Sequence, residues 1–365
     1  MKHNAENERI KRQYFLFLKE AKRLNEASID SVTMAIYRFE DYNKYKSFKT
    51  FHFEQAVGFK NFLAKQKAKL SGNPLSKSTI NSTLRCLKIF FQWLYLQTGY
   101  KSKINYTHTE YFNLSEKETR IATTKRSRPI PTIEQIKHVI NILPTCSVIQ
   151  KRNRALIAFT LLTGMRDAAI ASLKIKHINF NEDYVFQDAR EVETKFSKTF
   201  TTYFFPVGDD IRNIVFDWVE YLKEEELFGE GDALFPKTSM TIGSDGQFKA
   251  TGLLTDNWSN ASPIRRIFKE SFEEADLTYF RPHSFRSTLA KLGERLCQSP
   301  EDFKAWSQNL GHEGVLTTFL SYGEVQQDKQ AEIIKRLKLS GNVDNKETVK
   351  LAKEFIDKMA KLSNS

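Results

Sequence analysis

The sequence is poor in the residues that mark disulfide frameworks and membrane spans. It has only three cysteines, Cys86, Cys146 and Cys297, which are widely separated and lack the spacing of metal ligands. Its longest apolar runs, such as 155–162, fall well short of the roughly 20 residues that cross a bilayer. Residues 1–12 are polar and lack the apolar core of a signal peptide. We therefore expect reduced thiols in a cytoplasmic protein, with no membrane partner.

Acidic residues are scarce in the first third of the chain. Residues 1–128 hold 25 Lys and Arg against 11 Asp and Glu, a net charge of +14, whereas the remaining residues hold 31 against 33. The overall charge of +12 therefore comes entirely from the first third. A one-sided excess of this size favours a polyanionic partner, and nucleic acid is the leading candidate.

Glycine and proline are also sparse, at 15 and 9 of 365 residues. Where they cluster with polar residues, they mark boundaries between predicted elements or domains. Residues 113–131 end in KRSRPIP and have the composition of a linker between domains. We predict a basic helical domain at 1–112 and a linker at 113–131. Helical periodicity appears in the first domain at 8–24, 27–45 and 53–69, and again after the N-cap residues of 75–80.

The rest of the chain predicts a second domain at 132–340 that contains both helices and strands. Its apolar helix, 151–163, stops at Gly164, which suits a helix C-cap. The fold class is therefore α+β, mostly α with a small antiparallel sheet. The other predicted elements are a helix start at 132–135, a short helix at 167–173, strands near 176–180, 184–188 and 199–207, helices at 209–232 and 263–275 with a loop at 238–262 between them, and amphipathic helices at about 324–338 and 345–362.

Residues 281–322 hold the most informative cluster of polar side chains. His283 and Arg286 follow Pro282, so a helix that begins there places both on one face of its first turn. An imidazole beside a guanidinium at a helix N-terminus suits an anionic oxygen. His-x-x-Arg is also frequent by chance, so this spacing needs support from elsewhere in the chain.

That support comes from a family resemblance. Residues 161–166, LLTGMR, followed by Ser172 and Leu173, resemble the first signature of the tyrosine recombinases, the phage-integrase family. Residues 282–286, PHSFR, are similar to the family's His-x-x-Arg box, and LGH at 310–312 with Tyr322 is similar to its last box. The resemblance implies a helical core-binding domain, a mixed α/β catalytic domain, and a site-specific recombinase or integrase of a mobile element.

The resemblance also implies a role for each site residue, and phosphoryl chemistry explains the residue types. Arg166 and Arg286 would clamp the non-bridging oxygens of a phosphodiester. Tyr322 would be the nucleophile that forms a 3′-phosphotyrosine, with His283 as base or proton shuttle. Lys195 of the predicted hairpin would protonate the leaving 5′-oxygen, and His312 would contact phosphate or orient the tyrosine. No metal, ATP or other cofactor is expected, since the arginines supply the positive charge.

Several positions allow more than one interpretation. Lys198 competes with Lys195 as the active lysine, because both lie at the hairpin tip of 193–198, which lacks glycine. The family usually has an acidic residue three positions after the first arginine, where this chain has Ala169. Three competing hypotheses stay open: a structural pairing of Arg166 with Asp167 or another acid, a structural role for Tyr322 with Tyr279 or Tyr203 as the nucleophile, and a metal site of His283, Cys297 and His312.

The expected partners are double-stranded DNA, three further copies of the chain in a synaptic tetramer, and an accessory protein that bends DNA or sets direction. The C-terminal helix, 341–365, would dock on its own or a neighbouring protomer. Relaxation of DNA by a topoisomerase IB mechanism and DNA binding without catalysis are the alternative functions. The predicted DNA contacts are Lys77, Arg85, Lys88, Lys125, Arg126 and Arg128.

Overall fold

The computed structural model describes residues 3–68, 72–124, 129–243 and 246–312. The chain divides into two compact units, Met1–Arg126 and Ser127–Ser365. This boundary lies inside the stretch that the sequence predicts as a linker, and the predicted domain limits stay predictions. Within the described part of the chain, every helix is too short or too polar to cross a lipid bilayer.

The first unit is helical, as its periodicity predicts. The predicted helix ends at 24 and 69 are too late, because the first helix stops at Ala21 and the backbone is already extended at Gln66. Its elements are α1 (Ala5–Leu16), which continues as a π-helical turn (Phe17–Ala21), α2 (Glu26–Asn43), α3 (Phe53–Lys65), α4 (Lys77–Tyr95) and α5 (Glu116–Thr123), with 3₁₀ turns at Phe48–Thr50 and Tyr106–Phe112.

The core of the first unit is aromatic and decides which face of α4 meets solvent. Phe39 packs edge-on against Phe91 of α4, with ring centroids 5.3 Å apart, and Phe51 stacks on the same ring at 3.9 Å. Such ring pairs add to the hydrophobic gain of burial. Because Phe91 and its apolar neighbours face inward, Arg85 lies on the exposed side of α4.

The second unit places a buried helix at its centre. Its helices are α6 (Ile133–Ile142), α7 (Val148–Thr163), α8 (Asp167–Ala171), α9 (Asp209–Glu224), α10 (Ser262–Glu274), α11 (Pro282–Leu296) and α12 (Pro300–Asn309). The predicted capping residues start α6, since the Thr132 hydroxyl accepts from the N–H of Gln135 and the Gln135 side chain accepts from the N–H of Thr132. α7 begins with polar residues, but every residue from Ala155 onward is buried, so this half of the helix forms the hydrophobic centre of the unit.

A three-stranded antiparallel sheet follows α8 and a 3₁₀ turn at Ile175–His177. Its strands are β1 (Ile178–Asn179), β2 (Tyr184–Gln187) and β3 (Phe200–Tyr203), in that order, with Tyr184 opposite Tyr203. The outer edge of β3 is joined to α12 through a side chain. The N–H of Tyr203 donates to Asn309 Oδ1 at 2.6 Å, and Asn309 Nδ2 donates to the carbonyl of Tyr203 at 2.9 Å.

The helix predicted at 209–232 ends at Glu224, and two other segments contain elements that the sequence did not predict. The stretch 238–262 is not only a loop, because β4 (Thr238–Ile242) and β5 (Phe248–Leu253) form an antiparallel hairpin there. Its exposed strands are rich in Thr, Ser and Gly, which resembles loop composition. The predicted linker likewise contains a helix, α5, which is short and has no buried residue. Its sequence therefore lacks the apolar periodicity that would predict a helix.

Candidate active site

The first arginine of the site follows the buried helix α7. α7 ends at Gly164, whose φ of 59° lies in the left-handed region, and a Cβ there would lie 2.7 Å from Leu289 Cδ1. Arg166, two residues later, is the N-cap residue of α8 and is half-buried. Burial lowers the pKa of Arg166, but a guanidinium stays charged at neutral pH. The glycine thus turns the chain so that a charged side chain leaves the core.

The carboxylate of Asp167, which follows Arg166 in the sequence, pairs with a different arginine. Asp167 Oδ2 accepts from Arg265 Nε of α10 at 2.7 Å. Among the described residues, the guanidinium of Arg166 makes no hydrogen bond or ion pair, so it pairs neither with Asp167 nor with another acid there. Ala169, where an acidic residue was expected by resemblance, is buried.

Arg286 joins three parts of the second unit. α11 begins at Pro282, as the sequence predicts, and Arg286 lies one turn into it with 5% of its surface exposed. Its guanidinium donates to the carbonyls of Gly164 and Leu310, and its Nη2 lies 3.2 Å from His312 Nε2. Within the described chain its Nε has no partner. Burial and the charge of Arg166 lower the pKa of Arg286 to about 9, which leaves it cationic at neutral pH.

His283 lies at the N-terminal turn of α11, at the exposed edge of the same cluster. Partial burial of the ring lowers its pKa, and the positive charges of Arg286, Arg166 and Lys195 lower it further, opposed by Asp167. The imidazole is therefore neutral at neutral pH and can accept a proton.

The segment between β2 and β3 carries Lys195, but it is wider than a tight hairpin. A 3₁₀ turn at Lys195–Ser197 contains Phe196 and Ser197 at φ of 63° and 51°, a region that glycine would occupy more easily. Lys195 is exposed, and its Nζ lies 4.7 Å from the centroid of the Phe196 ring. Lys198 instead lines a cavity of about 770 Å³ that His312 also borders.

His312 is held in a turn directly after α12. Gly311 has φ of 64°, and a Cβ there would lie 2.7 Å from Phe200 Cζ of β3, so the turn fits against the sheet only without a side chain. The structure thus brings Arg166, His283, Arg286 and His312 together. The positive charge of Lys195 also lowers the pKa of His283. In the described residues no cluster of His, Cys, Asp and Glu could hold a metal ion, so the alternative site with Cys297 is wrong.

The predicted DNA contacts have different surroundings. Lys77 Nζ pairs with Glu118 Oε1 of α5 at 2.9 Å, and Lys88 Nζ with Glu110 Oε2 at 2.7 Å. Arg85 is exposed on α4 between them. Lys77 and Lys88, two of the three predicted DNA contacts on α4, are thus paired with carboxylates from distant parts of the sequence. No local sequence pattern predicts such pairs. Tyr322, Lys125, Arg126 and Arg128 lie outside the described residues.

The fold and the cluster define a class of protein: a helical unit joined to an α+β unit in which two arginines and two histidines converge. Comparison with known proteins refines this class. A family model for the phage integrase family matches residues 132–329, more than half of the chain. The chain belongs to the phage integrase family, and it is an enzyme that cleaves and rejoins DNA in site-specific recombination.

Individual relatives agree with this family. Tyrosine recombinase XerC of Halalkalibacterium halodurans is 23% identical over 327 residues, which are 88% of this chain and 94% of the relative. The ICEBs1 integrase of Bacillus subtilis is 24% identical over 225 residues, 60% of this chain and 56% of the relative. Among solved structures, a lambda integrase dimer on a COC′ core site covers 86% of this chain and 94% of that chain, with a TM-score of 0.57 and 13% identity. XerH recombinase on a palindromic difH substrate covers 88% and 84%, with a TM-score of 0.56 and 18% identity.

Proposed function

We propose that this enzyme breaks and reseals duplex DNA through a 3′-phosphotyrosine on Tyr322, without metal or ATP. The convergence of Arg286, Arg166 and His312 at the ends of α7 and α12 carries the proposal. Paired guanidiniums stabilise the charge that grows on the non-bridging oxygens in the transition state, as Mg²⁺ does in other phosphoryl-transfer enzymes. The phosphotyrosine conserves the energy of the broken bond, so a DNA hydroxyl can attack it and reseal the strand.

The family resemblance suggests the remaining roles, and the charge around His283 supports one of them. Neutral His283 accepts the phenolic proton of Tyr322, and Lys195 protonates the leaving 5′-oxygen. His312 contacts a phosphate oxygen beside Arg286. The basic helical domain holds the duplex through Arg85, Lys77 and Lys88, together with the linker residues Lys125, Arg126 and Arg128.

The biological setting is also a proposal. We infer that the chain is the integrase of a mobile element, because one relative is named an ICEBs1 integrase and one similar structure a transposon integrase. A synaptic tetramer, an accessory DNA-bending or directionality protein, and docking of 341–365 on its own or a neighbouring protomer complete the proposal. The tetramer is supported by a lambda integrase tetramer on a Holliday junction. The place of action would be the DNA of the cytoplasmic nucleoid.

The experiment is to trap and sequence DNA attached to the enzyme in cells, and then to incubate the recovered site with purified enzyme in EDTA. A covalent adduct is expected for the wild type and none for Tyr322→Phe. An adduct that survives Tyr322→Phe rules out this nucleophile, and a protein that binds the site but never nicks it supports DNA binding without catalysis. Relaxation of supercoils with no recombinant product from paired sites supports the topoisomerase alternative.

A further inference from the structure

We infer that Glu191 and Ser172 are positioning residues for Lys195: Ser172 fastens the segment that carries the lysine to the helix that Arg166 begins, and Glu191 fastens it to the 3₁₀ turn before β1. The inference rests on the proposed role of Lys195 as the acid for the leaving oxygen. It concerns contacts between the base of the β2–β3 segment, residues 188–199, and the two elements that precede the sheet. Neither Glu191 nor Ser172 belongs to the group of side chains that would touch DNA in the proposed reaction.

Glu191 ties the segment to the 3₁₀ turn before β1. Its Oε1 accepts from Lys176 Nζ at 2.9 Å, and its Oε2 lies 3.1 Å from His177 Nε2 and 3.9 Å from Lys174 Nζ. The hydrogen bond from Lys176 lowers the pKa of Glu191, so the carboxylate is ionised at neutral pH. Two hydrogen-bonding side chains and the charge of Lys174 thus surround the carboxylate, which gives it a defined place.

His177 makes this contact directional. The residue is 5% exposed, and its Nδ1 accepts from the backbone N–H of Lys174 at 3.0 Å. In the neutral ring this bond assigns the proton to Nε2, which then donates to Glu191. A buried ring with both nitrogens bonded cannot turn without losing a hydrogen bond, so it fixes the position of the carboxylate.

Ser172 provides the second attachment, closer to the lysine. The backbone N–H of Glu193 donates to Ser172 Oγ at 2.8 Å, and the same hydroxyl donates to the carbonyl of Ala169 at 3.0 Å. Ser172 follows α8, whose N-cap residue is Arg166. One hydroxyl therefore connects the helix of the first arginine with a backbone position two residues before Lys195.

Between these two attachments the side chain of Val192, 2% exposed, packs in the hydrophobic core of the second unit and anchors the same stretch. Beyond Glu193 the side chains that precede the strand are mostly exposed. Phe196 and Ser197 are exposed and have the positive φ angles described above. At the base of the segment, the N–H of Ala189 donates a hydrogen bond to Thr199 Oγ1 at 3.1 Å. Val192 anchors the segment without direction, whereas the hydrogen bonds of Glu191 and Ser172 orient it, so these two residues set the position of Lys195 relative to Arg166 together with the buried valine. A misplacement of about 1 Å at a reacting group can reduce a rate on the order of 10²-fold.

The chemical step defines what the positioning serves. As the phenolic oxygen of Tyr322 bonds to phosphorus, its proton passes to His283 and the bond from phosphorus to the 5′-oxygen breaks. Lys195 transfers a proton to that oxygen, which leaves as a hydroxyl. If sulfur replaces the 5′-oxygen, the leaving group is a thiolate, whose conjugate acid has a pKa of about 8.5 and which needs no proton at neutral pH.

The test compares single-turnover cleavage of the recovered site with a 5′-bridging oxygen and with a 5′-bridging sulfur, for the full-length enzyme. Glu191→Gln and Ser172→Ala are expected to cleave the oxygen substrate roughly 10- to 100-fold more slowly than the wild type, and the sulfur substrate within about twofold of it. Lys195→Ala should follow the same pattern more strongly. Glu193→Gln is the matched control, because it removes the same charge two residues away while, among the described residues, its carboxylate has no partner. It should cleave both substrates at the wild-type rate.

The outcomes separate this inference from the proposed function. If Glu191→Gln and Ser172→Ala cleave the oxygen substrate as fast as the wild type, or are equally slow on both substrates, the positioning role is wrong while the proposed function stands. If Lys195→Ala is not rescued by sulfur, the acid is another group and the inference fails with it. If the wild type forms an adduct with neither substrate, the proposed function itself fails.

Discussion

The guanidinium of Arg286 donates a hydrogen bond to the carbonyl of Gly164, which lies 122 residues earlier in the chain. That carbonyl belongs to the turn that directs Arg166 out of the core. A second bond, to the carbonyl of Leu310, reaches the turn that holds His312. Arg286 thus serves two purposes: it supplies charge to the site, and it holds together the two turns from which the other cationic and imidazole groups extend.

Replacement of Arg286 by lysine should therefore cost more than its unchanged charge suggests. An ammonium cannot reach both carbonyls with the planar geometry of a guanidinium, so the two turns lose their common partner. We expect single-turnover cleavage to fall by on the order of 10²-fold, about 3 kcal/mol of transition-state stabilisation, and Tm to fall as well. Arg281→Lys, at the exposed N-cap of the same helix, is the control and should leave both unchanged. Cleavage by Arg286→Lys within threefold of wild type would contradict this dual role.

The rate of cleavage should depend on pH through His283. Burial and the neighbouring positive charges of Arg286, Arg166 and Lys195 lower its pKa below the usual 6.5, while the Asp167 carboxylate raises it. A base that must be neutral loses activity as the pH falls through its pKa, so the rate should be level at neutral pH and drop in mild acid. In Asp167→Asn the drop should move to lower pH, measured by single-turnover rates between pH 5 and pH 8 in about half-unit steps. Asp210→Asn, whose partner is Lys137, should leave the profile in place, and a shift to higher pH in Asp167→Asn would contradict the expected sign.

The ion pairs on α4 should limit the affinity for DNA. Lys77 is engaged by Glu118 of α5, so a phosphate must displace that carboxylate before the lysine can contact DNA. We expect Glu118→Gln to bind duplex DNA more tightly and to show a slope of log affinity against log salt that is steeper by about one. Glu116→Gln is the control, since its exposed pair with Arg120 spans 3.8 Å on α5 itself and should change little. Weaker binding by Glu118→Gln would mean that the carboxylate holds Lys77 in place for the phosphate.

Local signals in the sequence predicted those parts of the site that depend on local backbone geometry. Gly164 predicts the end of α7, because a left-handed C-cap strongly favours glycine, and Pro282 predicts the start of α11, because proline suits the first helical position. The spacing of His283 and Arg286 then places them on one face. Neither feature needs knowledge of what the helix packs against.

Partners distant in sequence could not be predicted in this way. Arg265 binds Asp167 from 98 residues away, and Glu191 meets His177 only because the chain folds back through a short sheet. The hairpin of β4 and β5 was missed for another reason. Its strands are exposed on both faces, so burial imposes no strict alternation on Thr238–Ile242 and the composition resembles that of a loop.

The bonds between Asn309 and Tyr203 also make the enzyme sensitive to chemical ageing. The carboxamide of Asn309 imitates a main-chain amide, with one donor and one acceptor facing the backbone of β3. Hydrolysis of this amide to aspartate would turn the donor into an oxygen that faces the carbonyl of Tyr203, so an attraction would become a repulsion. A single spontaneous deamidation would thus loosen α12 from the sheet, close to the turn that holds His312, without any change in the gene.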